Sequence, residues 1–176
     1  MSKSLGLDMD GTLYNWHQSV FDYYQVHKNY MGSYTDFWTY EYKNITDTGW
    51  KFLTHIDIFY SSQMPTEDCI RFLDNIKYRF DIYYLTSRPE YVKLTTEQFL
   101  KRYKFPFRDN LIFTDDKVSD ARRLKLSYCI DDMPHHIEAL AKVTNVVMIA
   151  QPWNKHIWDV YPTAHSLMSA LQYLED

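Results

Sequence analysis

Leu5-Gly6-Leu7-Asp8-Met9-Asp10-Gly11-Thr12 is the stretch that decides how this 176-residue chain is read. Leu5 to Met9 is a short apolar run of the kind that forms a buried parallel strand, and carboxylates gather at its end. On an extended chain residues i and i+2 share a side, so Asp8 and Asp10 can reach one small site together. Gly11 lets the backbone turn sharply and approach a ligand closely. A calcium loop does not fit: with Asp8, Asp10 and Gly11 at loop positions 3, 5 and 6, Gly6 falls at position 1 and His17 at position 12, and neither is acidic. The pair suits phosphoryl transfer instead. One carboxylate can attack phosphorus and form an aspartyl-phosphate, while the other protonates the leaving oxygen and later activates water. The plain alternative is a strand that ends in an acidic turn.

Outward from this stretch, short apolar runs alternate with helical periodicity. Further strands are expected at Asp81 to Leu85, Leu111 to Phe113, Tyr128 to Ile130 and Asn145 to Ile149. Thr66-Glu67-Asp68 reads as a helix start, with Cys69, Ile70, Leu73 and Ile76 on one face. Pro89 opens a helix carrying Val92, Phe99 and Tyr103, and Pro134 opens another with Ile137, Leu140 and Ala141 inward. A last helix is expected to stack Ala164, Leu167, Met168, Leu171 and Leu174. The alternation argues for an open parallel α/β sheet flanked by helices. Residues 14–64 break it, being far longer than one crossover needs. With Val20, Phe21, Tyr24 and Met31 suggesting an amphipathic helix, this segment reads as a small inserted helical cap, leaving 1–13 and 65–176 as the core.

Three more sets fall at or just beyond strand ends. Thr86-Ser87-Arg88-Pro89 offers hydroxyls, a backbone nest and a helix start suited to phosphate oxygens. Lys117 follows the third strand in Thr114-Asp115-Asp116-Lys117; a single lysine is ordinarily a solvated surface charge. Asp131-Asp132 closes the fourth strand, and adjacent buried acids are costly unless a cation or hydrogen bonds satisfy them. A hard divalent cation, Mg²⁺ above all, would do so. In open α/β sheets the carboxyl edge is where ligands bind, so four complementary sets on one edge weigh more than any one.

Composition narrows the field. The chain has only four glycines and neither G-x-G-x-x-G nor G-x-x-x-x-G-K-[ST], which excludes nucleotide binding through a glycine-rich cradle. Its formal charge of −4 does not invite nucleic acid or an anionic membrane. Cys69 and Cys129, far apart and without a metal or redox spacing, read as buried thiols of a cytoplasmic protein. There is no signal-peptide-like apolar run at the N-terminus and no apolar stretch long enough for a transmembrane helix. Aromatics make up 18% of the chain, and 15 of the 31 lie in residues 14–64, which carry three lysines, five acids and no arginine. A basic groove for a phosphate backbone is therefore not expected, and a small substrate is. A homodimer stays open.

In their order along the chain, Asp8-Met9-Asp10-Gly11-Thr12, Leu85-Thr86-Ser87, Lys117 and Asp131-Asp132 resemble the four motifs of the haloacid dehalogenase (HAD) superfamily of phosphatases. The inserted cap, Leu85-Thr86-Ser87-Arg88-Pro89, Ile130-Asp131-Asp132-Met133-Pro134 and Gln151-Pro152-Trp153-Asn154 are similar to its 5'(3')-deoxyribonucleotidase group. The resemblance implies a Rossmann-like HAD core and an enzyme releasing phosphate from nucleoside monophosphates. It makes Asp8 the nucleophile and Asp10 the general acid/base. Mg²⁺ would rest on Asp8, the Asp10 carbonyl and Asp132, with Asp131 behind them. Thr86 and Lys117 would bind phosphate, with Lys125 competing for the lysine's role, and Gly11, Thr12, Ser87 and Arg88 would add contacts. Arg88 stands where the group's simplest pattern has proline directly after Thr-Ser; it can touch phosphate or pair with an acid on the surface. Cap rings could stack on a base, with Phe37, Trp38, Trp50 and Tyr60 as candidates and packing as the alternative for each. A polynucleotide 3'-phosphatase, a small-metabolite phosphatase and a non-enzymatic binder are the other readings. His135 and His136, adjacent on a helix, are expected on its surface near the active edge, and His17 follows the first motif closely enough to reach the site.

Overall fold

Strand β1 (Lys3–Asp8) lies inside a six-stranded parallel sheet of order β3-β2-β1-β4-β5-β6, with β2 at Phe80–Thr86, β3 at Leu111–Phe113, β4 at Tyr128–Asp131, β5 at Asn145–Ile149 and β6 at Thr163–Ala164. The structure is a computed structural model that describes residues 3–41 and 63–174. The five expected strands are present within a residue or two of their expected ends. The sixth was not foreseen. Thr163–Ala164 is only two residues long, too short for a pattern, so Ala164 is an edge-strand residue beside Ile149 rather than the start of a helix.

Because alternate strand residues point to opposite faces, the sheet is buried on both sides. Leu5, Leu7, Ile82, Tyr84, Ile130 and Val147 join one cluster, and Leu85, Cys129, Val146 and Met148 join the other. Helices α1 (Trp16–Lys28), α2 (Cys69–Ile76), α3 (Lys93–Arg102) and α6 (Leu167–Ala170) contribute to the first, and α4 (Lys117–Leu124) and α5 (Pro134–Leu140) to the second. This makes a three-layer α/β/α arrangement. Cys69 and Cys129 are both free and buried. No helix among the described residues is long and apolar enough to cross a membrane.

Several side chains depart from the periodicity. In α2, Phe72 rather than Ile70 turns inward with Cys69, Leu73 and Ile76, and Ile70 is exposed. Ala141 caps α5 and is exposed, because the helix has already ended. Met31 lies beyond Asn29, whose left-handed backbone (φ 52°) closes α1, and is exposed at 92%. Pro89 precedes a 3-10 turn, Glu90–Val92, that leads into α3. After α1, the described part of 14–64 continues through Tyr34–Asp36 and a π-helical turn at Phe37–Glu41. Val20, Phe21, Phe37 and Trp38 pack in the same buried cluster as β1.

The sheet order places the site. From β1 the chain adds β2 and β3 on one side, then returns to add β4, β5 and β6 on the other. The reversal falls between β1 and β4, where an open α/β sheet leaves a crevice at its carboxyl edge. Leu7 pairs with Ile130 there, and the next residues on each strand are Asp8 and Asp131. Leu7 is fully buried. Leu7→Ala should lower unfolding free energy by about 2–5 kcal/mol, measured by urea denaturation with the slope m unchanged.

Candidate active site

After Asp8 the chain folds into a tight turn. The backbone amides of Thr12, Leu13 and Tyr14 all point to the Met9 carbonyl, at 3.4, 2.9 and 3.3 Å, and Gly11 N donates to Tyr14 O at 3.0 Å. Gly11 has φ +87°, a left-handed conformation that favours glycine. A Cβ there would also stand 2.6 Å from Asp132 Oδ2 and 2.6 Å from the His17 ring. The glycine is thus required twice, by its backbone angle and by two neighbours pressed against it.

Lys117 is the first residue of α4, whose cap Asp116 accepts from Ser119 N at 3.0 Å. This start aims the lysine back under the strand ends. Its Nζ lies 2.5 Å from Asp8 Oδ1 and 2.7 Å from Asp131 Oδ2, and it is 4% exposed. Lys125, the competitor, closes the other end of the same helix in a left-handed conformation (φ 52°) and is exposed. The geometry therefore brings Lys117, and not Lys125, to the acids.

Asp8, Asp131 and Asp132 are buried and offer carboxylate oxygens that all lie within 4.8 Å of one another. Burial pushes Asp8 up to about 7, aided by the charges of Asp131 and Asp10 and opposed by Lys117. Burial also lifts Asp132 well above the usual carboxylate range, with Asp8 and Asp131 adding repulsion. For Asp131 burial acts the same way, but Lys117 and His136 more than offset it and hold the carboxyl below its ordinary value. Lys117 is itself held above the ordinary lysine value, because Asp131 and Asp8 outweigh its burial. Asp131 also accepts from Met133 N at 2.9 Å, and His136 Nδ1 stands 3.1 Å from its Oδ2. Three hard oxygen donors facing one another around a single ammonium suit a divalent cation of the Mg²⁺ type, which would relieve their mutual repulsion.

Asp132 meets neutral donors. Trp153 Nε1 donates to its Oδ2 at 3.1 Å, and the Thr12 hydroxyl faces its Oδ1 at 3.5 Å. Asn154 Nδ2 holds its backbone carbonyl at 2.7 Å and that of Ile149 at 2.8 Å, and Gln151 Nε2 donates to Gly11 O at 3.0 Å. The Gln151-Pro152-Trp153-Asn154 stretch therefore braces the first and last acidic sets. The sequence signals the stretch only through family likeness, not these contacts.

Thr86 ends β2 and is buried, its hydroxyl accepting from Arg88 N at 3.3 Å, while Ser87 is exposed. Arg88 is not on the surface. It is 6% exposed, and its Nε and Nη2 donate to Asp10 at 2.9 and 3.3 Å. Further Arg88 donors reach Thr96 Oγ1 at 2.8 Å and Gln63 Oε1 at 3.1 Å. The Tyr14 hydroxyl donates to Asp10 Oδ1. Asp10 nevertheless keeps 26% of its side chain exposed, so it fronts open space.

The rings divide by position. Phe37 sits inside a cluster with Phe21, Tyr24 and Tyr30, at centroid distances of 5.6, 5.1 and 5.3 Å. At 1% exposure it packs within that cluster, the alternative given for each of these rings. Trp38 is buried at the end nearest the acids, 4.7 Å from His17 and 5.4 Å from Trp153. Trp50 and Tyr60 lie outside the described residues. His17 stacks on Trp153 at 3.9 Å, and burial pushes its pKa down to about 3, leaving it neutral. Of the adjacent pair, His135 is exposed, but His136 reaches inward to Asp131. The expectation of two surface histidines is thus half wrong: one helical step of about 100° separates solvent from the acid.

Known proteins bear on this geometry. Among solved structures, a haloacid dehalogenase-like hydrolase, SP0104 of Streptococcus pneumoniae, superposes with a TM-score of 0.65 at 12% identity, covering 99% of each chain. The HAD-hydrolase YfnB of Bacillus subtilis, solved bound to magnesium, superposes with a TM-score of 0.66 at 12% identity, covering 98% of each. These likenesses establish the HAD fold. By sequence, a Bacillus cereus protein named "Putative nucleotidase" is 29% identical over 107 residues, 57% of this chain and 57% of that protein. The matched region therefore spans little more than half the length of that relative. The family described as 5' nucleotidase, deoxy (pyrimidine), cytosolic type C protein matches residues 2–174, nearly the whole chain, and the protein belongs to that family.

Proposed function

We propose that the protein is a Mg²⁺-dependent phosphatase of (deoxy)nucleoside monophosphates that works through an aspartyl-phosphate on Asp8. The observation that carries this reading is the convergence of Asp8, Asp131 and Asp132 around Lys117 at the carboxyl edge of the sheet, with Asp10 and Thr86 beside them. The family match and the magnesium-bound HAD neighbour support it. We read residues 14–64 as the cap over this edge and 1–13 with 65–176 as the core.

In the first step an Asp8 carboxylate oxygen attacks phosphorus. The bond from phosphorus to the nucleoside oxygen breaks, and Asp10 delivers a proton to that oxygen. Asp10 then takes a proton from water as the water oxygen attacks the aspartyl-phosphate, which frees phosphate and restores the Asp8 carboxylate. Lys117 faces charge that builds on the phosphoryl oxygens, where preorganised electrostatics contribute most. We assign the Thr86 and Ser87 hydroxyls to those oxygens, with the Gly11-Thr12 turn, whose amides serve Tyr14 O and Met9 O, setting the backbone beside them. Mg²⁺ would be held by Asp8, the Asp10 carbonyl and Asp132, and when bound it neutralises negative charge on acid and phosphate alike. Asp131, committed to Lys117, Met133 N and His136, is left to position the lysine.

A small substrate follows from charge. Residues 14–64 carry three lysines against five acids, which does not make a groove for a nucleic-acid backbone. Trp38, which packs against His17 and Trp153 beside Asp132, is the described cap ring that we assign to the nucleoside side. The family's cytosolic description and the two free buried thiols support a cytoplasmic protein.

Phosphate release from a panel of deoxynucleoside and nucleoside monophosphates should require Mg²⁺, stop with a chelator, and fall at least ~1000-fold in Asp8→Asn. Preference for a 3'-phosphorylated oligonucleotide would overturn the substrate assignment. A readout independent of activity is melting. Mg²⁺ at about 100 times its Kd should stabilise the protein by about 2.7 kcal/mol, roughly 5–10 °C for a domain of this size. Asp132→Asn should abolish that rise, whereas an equal rise in the variant would sink the metal site.

A further inference from the structure

Arg88 has no part in the mechanism above, yet it is one of the most heavily anchored side chains at the site. We propose that Arg88 is a positioning residue that fixes the Asp10 carboxyl for proton transfer, rather than a phosphate ligand; this rests on the phosphatase reading of the same site. Guanidinium is planar and presents its donors in a rigid fork. Here Nε takes Asp10 Oδ2 at 2.9 Å and Nη2 reaches Oδ1 at 3.3 Å, so both carboxyl oxygens are set in orientation.

The fork itself is held from three sides. Nη1 donates to Thr96 Oγ1 at 2.8 Å, and the Thr96 hydroxyl is in turn fixed to Val92 O at 2.9 Å, at the end of the 3-10 turn that leads into α3. Nη2 also meets Gln63 Oε1 at 3.1 Å, and the guanidinium carbon lies 4.6 Å from the centroid of the Tyr14 ring. Tyr14 closes the arrangement by donating its hydroxyl to Asp10 Oδ1. Groups from the turn after β1, from α3 and from Gln63 thus converge on one side chain, 78 residues from Asp10. A phosphate ligand needs donors turned toward open space. These donors instead face Asp10, Thr96 and Gln63, and Asp10 alone of the four fronts solvent, by a quarter of its side chain.

A misplacement of a reacting group by about 1 Å can cost ~100-fold in rate, and the loss should track how much the leaving group needs a proton. A nucleoside alkoxide needs one; p-nitrophenolate, a far weaker base, leaves without it. Arg88→Lys and Arg88→Met should lower kcat/KM on a deoxynucleoside monophosphate by ~100-fold and on p-nitrophenyl phosphate by less than ~5-fold. In an Asp10→Asn background, Arg88→Met should change the nucleotide rate by less than ~3-fold, since the effect has lost its carrier. Thr96→Val keeps the charge and loosens only the anchor; it guards against a misfolded arginine variant and should show a smaller loss, ~5-fold, again selective for the nucleotide. Equal losses on both esters, a rise in KM on both with kcat kept, or an undiminished effect in Asp10→Asn would overturn the proposal. Wild-type protein inactive on both esters with Mg²⁺ present would overturn the phosphatase reading itself.

Discussion

The edge of the sheet depends on one ammonium. Lys117 Nζ bridges Asp8 and Asp131 from below the strand ends, and all three side chains are buried. Without it, carboxyls from two adjacent parallel strands would face each other in a medium that screens charge poorly. The lysine can do this because α4 begins immediately after the third strand's loop, with Asp116 capping it, so that its first residue is carried under the crevice. Breaking a buried ion pair leaves an uncompensated charge, which is strongly destabilising. The architecture and the site therefore share one constraint: β1 and β4 can lie side by side with acids at their ends only while a cation sits beneath them.

That arrangement still carries more negative charge than positive. Asp8 and Asp132 both stay above the ordinary carboxylate range, and burial is the larger cause in each. A fold selected for stability alone would place apolar groups here, as replacements of buried ion pairs often show. The core around β1, with Leu5, Leu7, Ile82 and Tyr84 fully buried, supplies the stability against which this concentration of acids is set.

The strands were legible because buried parallel strands announce themselves as short apolar runs, and five did so. Thr163–Ala164 did not, since two residues carry no period and Ala164 fits a helical stripe equally well. Met31 falls outside because hydrophobicity alone does not say where a helix ends, and the left-handed Asn29 stops α1 before it; Ile70 lies one helical step of about 100° off the buried stripe of Cys69, Leu73 and Ile76. The acids and Lys117 were legible from spacing to strand ends. Arg88's partner was not: the Asp10 contact depends on β1 and β2 lying in register, Asp8 against Leu85, and on the 3-10 turn after Pro89 that swings the arginine inward. Trp153 and His136 reach the acids from segments that pattern reading treats as ordinary loop and helix surface.

A tally of partners shows where the unmet charge concentrates. Asp10 has Arg88, Asp131 has Lys117 with His136 beside it, and Asp8 shares that lysine. Asp132, among the described residues, is met by an indole N–H, a threonine hydroxyl and backbone support through Asn154, all neutral. The ion pairing thus runs out at the acid pressed against Gly11, the residue whose missing side chain leaves room beside Asp132 Oδ2. Neutral donors orient a carboxylate without cancelling its charge. Oriented in this way beside Asp8, Asp132 offers the oxygen that we assign to Mg²⁺. The aromatic wall of His17, Trp38 and Trp153 behind it adds no countercharge, because His17 is kept neutral by its own burial. The rings and Gly11 thus fix where the Asp132 carboxyl stands, and its burial among neutral partners, with Asp8 and Asp131 nearby, is what lifts it above the usual carboxylate range.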